Sequence, residues 1–433
     1  MLRKFFYAGI FFAVFPLYAA ELSWDDCVSI ALEKSPGLIS ARAALDRARA
    51  NNWASITSAL PSVSASASAS KSGSEPAPGT IREAGGMEFP ASNSYSTSYS
   101  YGISGRQLLF DSFKTWQDME RAGEDLKSAR LNYTQASASV RFRLKQAHVE
   151  LIKAQELVSM SAEIMERRKS QVRDIELRYS AGREHRGSLM SAEASLMQAE
   201  FEYLRAKRGL ELAKEALANA LGVEYNAEIS AGGEFKPVID PSTEPDFEAL
   251  FNDNPAIMIL TAQRRAAELS AGASISSFFP SVNLNGSVSR RGDVFLPEDT
   301  GWSVGLNVSL PLFDSGLLLA RSRAAHASLR QAEADLISGA SSAKTGLKRA
   351  WDDFTDANTA LNIQEKLLEA SIERANIADA QYSNGLLSFD NWTIIQDSLV
   401  NARKSRLNSA ANLLITEAAW IQAKGGTLED EKK

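Results

Sequence analysis

The sequence predicts a mixed fold, built twice over: short β-strands belonging to a membrane barrel, set between very long α-helices. Three observations predict it. The chain carries an internal duplication, its short segments alternate small polar with apolar residues, and two proline-free runs each extend about 65 residues. At 433 residues the chain is too long for one ordinary compact core. A composition of 44% hydrophobic and 23% charged residues excludes wholesale disorder and a polytopic helical membrane protein.

The duplication fixes the domain plan. Ser35-Pro36-Gly37 matches Asn254-Pro255-Ala256, and Leu60-Pro61-Ser62-Val63 matches Phe279-Pro280-Ser281-Val282, both at an offset of 219. Further on the offset is 203: Leu109-Phe110-Asp111-Ser112 matches Leu312-Phe313-Asp314-Ser315, and Tyr179-Ser180-Ala181-Gly182 matches Tyr382-Ser383-Asn384-Gly385. The difference falls between residues 63 and 109, where KSGSEPAPGTIREAGGMEFP reads as a longer surface loop. Residues 21–222 and 243–426 are therefore two copies of one unit, with a linker at 223–242 and a charged tail at 427–433.

Within each copy, period-two segments mark the strands. SVSASASAS sets Val63, Ala65, Ala67 and Ala69 against a face of serines, and SYSTSYSYGIS sets Tyr95, Thr97, Tyr99, Tyr101 and Ile103 against another. The second copy gives Val282, Leu284 and Val288, then Trp302, Val304, Leu306, Val308 and Leu310. Strands are placed at about 62–71, 94–110, 281–290 and 301–311. Alternation alone suits an ordinary half-buried sheet. Strand lengths near ten residues, interfacial Tyr and Trp, and a secretory leader turn the reading to a transmembrane barrel. Four strands cannot close a barrel, and lipid leaves no edge unpaired, so several subunits must share one.

The long runs, 112–179 and 315–382, are rich in Ala, Glu, Gln, Arg, Lys and Leu, with Asp111 and Asp314 placed as N-caps. At 1.5 Å per residue such a helix is about 100 Å long. Return helices at 187–221 and 387–424 follow turns stopped by Gly182 and Gly385. Ala192, Ala194, Leu196 and Ala199, like Ala324, Ala327, Leu329 and Ala332, mix small and large residues. Such faces suit a curved coiled-coil wall and an ordinary helical bundle equally.

Residues 1–20 have the layout of a secretory signal peptide, with Arg3 and Lys4 ahead of the apolar run Phe5 to Tyr18 and a close at Ala19-Ala20. Its removal leaves 45 basic against 53 acidic residues, a charge of −8, with no basic block to bind nucleic acid. Cys27 is the lone cysteine and reads as a small buried residue. His148, His185 and His326 form no metal-ligand cluster and read as solvated surface histidines. Trp351 reads as core, with Asp352 and Asp353 as solvated charge. No residue set marks a cofactor, a metal or a catalytic centre, so the chain reads as a non-enzyme.

Beyond these patterns, LSWDDCVSIALEKSP, ALPSVSASAS, FFPSVNLNGS, SLPLFDSG and QYSNGLLSFDNWTIIQDSLVNARKSRLNSAANLLITEAAWIQAKGG, in this order within a duplicated unit, resemble the TolC-like outer-membrane efflux family. The resemblance covers nearly the whole mature chain. It implies a homotrimer whose subunits each give four strands to a shared 12-stranded outer-membrane barrel, continued by a coaxial α-helical barrel across the periplasm. It also implies partners: outer-membrane lipid, a periplasmic adaptor at the helical turns, and an inner-membrane transporter of RND or ABC type.

Carried over by residue, the periplasmic tip and adaptor contact comprise Tyr179, Ser180, Ala181 and Gly182, with Tyr382, Ser383, Asn384, Gly385 and Leu386. Arg183-Glu184-His185-Arg186-Gly187 departs from the family's small-apolar run after the first turn. At the second turn Leu387 stands at the family's basic gate position, and Asn391 and Ile394 at its acidic ones, so no salt-linked gate of that design is expected. Asp390, one position early, reads either as part of an acidic ring or as a helix N-terminal charge. The implied function is a passive exit duct for efflux or type I secretion. The alternative is a periplasmic coiled-coil adaptor or scaffold that never inserts. A trimer would carry a charge of −24, favouring cations if much of it lined the tunnel.

Overall fold

The computed structural model describes residues 21–74, 81–84, 87–90, 94–225, 228–233, 235–241 and 243–432. The expected signal peptide lies outside them, as do parts of the long loop and the linker. The described elements run β1 (Glu21–Leu22), α1 (Trp24–Lys34), α2 (Pro36–Thr57), β2 (Ser62–Ser74), β3 (Ile81–Ala84), β4 (Met87–Pro90), β5 (Ser94–Phe110), α3 (Lys114–Ser180) and α4 (Arg186–Leu221). The second copy follows with β6 (Ser230–Ala231), α5 (Phe247–Asn252), α6 (Pro255–Ser276), β7 (Ser281–Gly292), β8 (Thr300–Ser309), α7 (Leu317–Ser383) and α8 (Phe389–Ala423), then a 3-10 turn at Glu429–Lys432.

Two compact units emerge, and neither is a sequence repeat. One takes its described residues from Met1–Ala43, Leu131–Ile257 and Ala340–Lys433, the other from Ala44–Arg130 and Met258–Gly339. Each draws on both copies, because each long helix starts in one unit and ends in the other.

The second unit holds an antiparallel four-stranded sheet in the order β2-β5-β7-β8. Pairing of β5 with β7 joins the two repeats in one sheet. Its register sorts the faces that alternation alone left open. Ala65, Ile103, Val288 and Trp302 form one cross-strand row, and Ser64, Ser104, Ser287 and Ser303 the next. On the second row the hydroxyls of Ser64 and Ser104, and of Ser287 and Ser303, are each 2.9 Å apart. The apolar face is bare: Trp302, Val304, Leu306 and Val308 are 77, 70, 66 and 64% exposed. A contiguous apolar face of this kind is a membrane or partner surface.

Strand passes to helix through a left-handed turn in both repeats. Ser112 and Phe113 take φ of 57° and 66°, and Ser315 and Gly316 take 57° and 86°. The preceding aspartates close the turn. Asp111 Oδ2 accepts from Thr115 N at 2.9 Å, and Asp314 Oδ2 from Leu318 N at 2.7 Å. From these caps α3 and α7 each run 67 residues without interruption.

In the first unit α1 packs on α3 and α4. Val28, Ala31, Leu144, Leu151, Leu217 and Leu428 share one core with Cys27, which is fully buried. A second core gathers Leu347, Trp351, Phe354, Leu413 and Trp420 on α7 and α8. Both cores are closed by the same device. Gly222 and Gly425, each left-handed, end the return helices with paired backbone bonds, Gly222 N to Asn219 O at 3.2 Å and Gly425 N to Gln422 O at 2.9 Å. Gly222 lies against Lys34 O and Pro36, and Gly425 against Pro255, the repeat-equivalent proline.

Two expectations are corrected. His148 is not solvated: it is 3% exposed, edge-on to the Trp24 ring at 5.8 Å, with Nε2 3.4 Å from Leu22 O, and burial pulls its pKa down. Residues 427–432 do not trail as a tail. Leu428 is fully buried, Glu429 accepts from Tyr133 Oη at 2.7 Å, and Glu431 accepts from Trp24 Nε1 at 2.9 Å and pairs with Arg141. The small-residue faces differ from each other: Ala192, Ala199 and Ala206 of α4 are buried at a spacing of seven, whereas Ala324 and Ala327 of α7 are exposed in the single chain.

Two outcomes follow for mutants. Asp at Leu306, on the bare apolar face, costs on the order of 2–3 kcal/mol in lipid and lowers recovery of assembled protein. Asp at neighbouring Asn307, on the polar face, is tolerated; equal recovery from outer membranes would break the register. Gly182→Ala costs about 1–2 kcal/mol by its left-handed backbone, read by thermal unfolding. Gly222→Ala adds a further ~1–3 kcal/mol, because its Cβ would sit 2.4 Å from Lys34 O.

Candidate functional site at the helical turns

The turns joining α3 to α4 and α7 to α8 begin with the same backbone solution. Gly182 and Gly385 take φ of 71° and 73° with open space where a Cβ would stand, so their role is conformational. Gly182 N donates to Tyr179 O at 2.9 Å and Arg183 N to Arg178 O at 2.8 Å; Gly385 N donates to Tyr382 O at 3.1 Å and Leu386 N to Gln381 O at 2.9 Å. These paired bonds satisfy the last carbonyls of each long helix. Ser180 Oγ donates to Leu177 O, and Ser383 Oγ and Asn384 Nδ2 both donate to Ala380 O.

Side chains then break the symmetry. Tyr179 is 41% exposed, whereas the equivalent Tyr382 is 8% exposed. Tyr382 stacks on Trp392 with ring centroids 4.8 Å apart, and Phe389 lies 6.3 Å away. On the first hairpin, Arg178 places its guanidinium 4.7 Å from the Tyr382 ring centroid, and Glu184 Oε1 accepts from Tyr382 Oη at 3.1 Å. Burial first, and then the Glu184 carboxylate, push the Tyr382 hydroxyl up to about 12. Asp379 Oδ1 accepts from both Trp392 Nε1 and Gln396 Nε2 at 2.7 Å. Ile175, Ala192, Ala378 and Leu189 complete this core, which ties the two hairpins of one chain together.

The first hairpin cannot build the same core, since the positions equivalent to Phe389 and Trp392 are Arg186 and Leu189. Its return helix is capped instead by His185, whose Nδ1 accepts from Ser188 N at 3.1 Å.

Ser388 caps α8, with Asp390 in the first turn. Asp390, Asn391 and Ile394 lie together on the exposed side of α8, away from its buried Phe389, Trp392 and Gln396. Leu386 is exposed at 78% and Ile394 at 65%. The site therefore has two layers: an internal aromatic core that fixes the turns, and an outward set that is free to meet another chain. Sequence reasoning missed the inner layer of Arg178, Glu184, Asp379, Trp392 and Gln396. The spacing of Tyr382, Phe389 and Trp392 around one turn could have pointed to it. Among the described residues no cluster of His, Cys, Asp or Glu could hold a metal, and no helix is long and apolar enough to cross a membrane.

Farther from the turns, charge pairs bind α3 to α8. Arg168 pairs with Asp397, and Arg403 lies 3.1 Å from Glu163, whose pKa its hydrogen bond lowers. This contribution is present above the usual carboxylate range and is lost as pH falls through the depressed value.

Truncating Trp392→Ala removes the stacking face of Tyr382 and costs about 3–5 kcal/mol locally. Amide exchange at both turns rises. Ile394→Ala, on the outward layer, leaves exchange unchanged; comparable effects from the two would dissolve the distinction between layers.

Comparison with known proteins matches this architecture. A model of the family described as outer membrane efflux protein covers residues 27–223 and 248–426. The outer membrane efflux protein BepC of Brucella suis biovar 1 (strain 1330) is 22% identical over 335 residues, 76% of this chain and 69% of that protein. Among solved structures, the MtrE outer membrane channel of Neisseria gonorrhoeae, in its open state, superposes with a TM-score of 0.80 at 21% identity, covering 97% of this chain and 95% of that one. The CmeC outer membrane channel of Campylobacter jejuni gives 0.81 at 19% identity, covering 93% and 86%.

Proposed function

The chain belongs to the outer membrane efflux protein family, and from that premise we propose that three copies join into one duct running from the periplasm through the outer membrane. The protein is an outer-membrane efflux channel, and the family match favours this over a scaffold that never inserts. Conduction is passive, and asks of the chain a bore and a gate in place of chemistry.

One observation carries the assembly reading. The four-stranded sheet ends in two strands, β2 and β8, whose outer edges have no partner among the described residues, while its apolar face is bare. Such edges are tolerated in lipid only when other strands pair with them. Three copies supply the 12 strands that the family resemblance implies, and the long helices of each copy then line a common tunnel.

The outward layer of the turns is the docking surface for a periplasmic adaptor: Tyr179, Ser180, Ala181 and Gly182 on one hairpin, Tyr382 to Leu386 on the other. Within that set Tyr382 acts from inside, as the residue that shapes the second turn. An inner-membrane transporter of RND or ABC type feeds the tunnel. Asp390, Asn391 and Ile394 face outward from α8, so three copies bring them round the axis as the narrowest ring, with Asp390 as its charge.

Mass decides the stoichiometry. Protein extracted from outer membranes in mild detergent, measured by light scattering and corrected for bound detergent, has the mass of three 47.0 kDa chains less their leaders. A monomer recovered from the soluble periplasmic fraction would overturn the assembly and return the scaffold reading.

A further inference from the structure

The sheet has a charge opposite to that of the chain. Strands β2, β5, β7 and β8 contain no Asp or Glu, and their charged residues are Lys71, Arg106, Arg290 and Arg291. Three of these lie at one end of the sheet, where Arg290 and Arg291 approach the acidic connection that holds Asp293, Glu298 and Asp299. Arg106 stands alone near the other end, two residues before the register shift at Leu108.

Its surroundings make it a fixed, forward cation. Arg106 belongs to the polar face, in a row with Ser62, Asn285 and Gly305. It is the only charged and by far the longest side chain of that row. The adjacent row is Ser64, Ser104, Ser287 and Ser303, all short and neutral. Arg106 Nε and Nη2 donate to Asn283 Oδ1 at 3.2 and 3.1 Å, and Asn283 is itself 6% exposed. That fork holds the guanidinium in place while its other N–H groups have no partner among the described residues. Arg106 is exposed, with no carboxylate within salt-bridge distance among the described residues.

We propose that Arg106 is a specificity-determining residue of the duct, a cationic ring on the polar face of the barrel that favours anionic solutes, chloride, carboxylates and phosphates among them. The inference rests on the duct reading, in which that face lines the bore. A low-dielectric barrel wall focuses the field of a fixed charge into the pore, and short neutral neighbours leave nothing to screen it except mobile ions. The barrel then works against the negative charge of the rest of the chain, so the net charge of −6 does not predict its ion preference.

The test is the reversal potential of the purified protein in planar bilayers under a potassium chloride gradient. Arg106→Gln raises the potassium-to-chloride permeability ratio roughly two-fold or more. Arg106→Lys stays near the wild-type ratio, because charge and not the fork to Asn283 sets the preference. An unchanged ratio in a conducting Arg106→Gln channel overturns the proposal. If that variant fails to assemble, Arg106→Cys labelled after assembly keeps the question open to refutation. Cys27 is fully buried with its thiol pushed up to about 12 by burial, so the reagents reach position 106 alone. A cationic and an anionic methanethiosulfonate should give different ratios, and equal ratios sink the idea. Inserted protein that carries no current, and still none when Trp392→Ala has loosened the turns, overturns the duct reading itself, a failure distinct from an absent charge effect.

Discussion

Two unpaired strand edges govern the rest of this molecule. Each N–H and C=O along the outer sides of β2 and β8 needs a partner, and in hydrocarbon no water supplies it. A four-stranded sheet with such edges is a fraction of a structure. Its bare apolar face would be a liability on a single soluble chain, and its serine rows would be a poor core. Both become sensible once the sheet curves and closes, with side chains sorted strictly by the two-residue period of the strand. Short hydroxyls inside leave room for a bore, and Val, Leu and Trp outside meet lipid.

Duplication explains how so long a chain keeps its parts aligned. Left-handed turns after β5 and β8, glycine stops at the four helix ends, and the two proline-to-glycine contacts recur at equivalent places. Backbone geometry was kept while side chains diverged. The hairpins show that divergence: one has an aromatic core and the other a charged run, Arg183 to Arg186, whose Glu184 accepts from Tyr382 Oη across the pair. Equivalent backbones thus carry unequal surfaces at the two turns.

Much of this was legible in the sequence, for physical reasons. Strand alternation is read directly, because each residue faces one side only, and long proline-free runs leave little besides helix. The family resemblance added the helical barrel. Register was not legible, since serine rows pair equally well at several offsets. Helices α2 and α6 were not singled out, although Ser35-Pro36 and Asn254-Pro255 offer the cap-then-proline start, and Asn254 Oδ1 does accept from Ala256 N at 2.9 Å. His148 was misjudged by its chemistry. At an offset of 203 it falls on Trp351, a core aromatic, so the duplication itself held the better answer. At the turns, glycine positions could be read from sequence, but the partner of Tyr382 could not. It lies on the other hairpin, 198 positions away in the chain.

The docking of residues 428–431 sets an order on folding. Trp24 and Glu431 are separated by 407 positions, yet the same few contacts complete the core over α1. Loop closure over such a distance is slow, and local helices form long before it. The core begun by the first repeat therefore keeps one side open until the last residues have followed. Val28, Leu144 and Leu217 pack on one another once the first repeat has emerged, and Leu428 closes the last side of their core. A chain that stops before Leu428 keeps its helices but leaves that side of the core open to water.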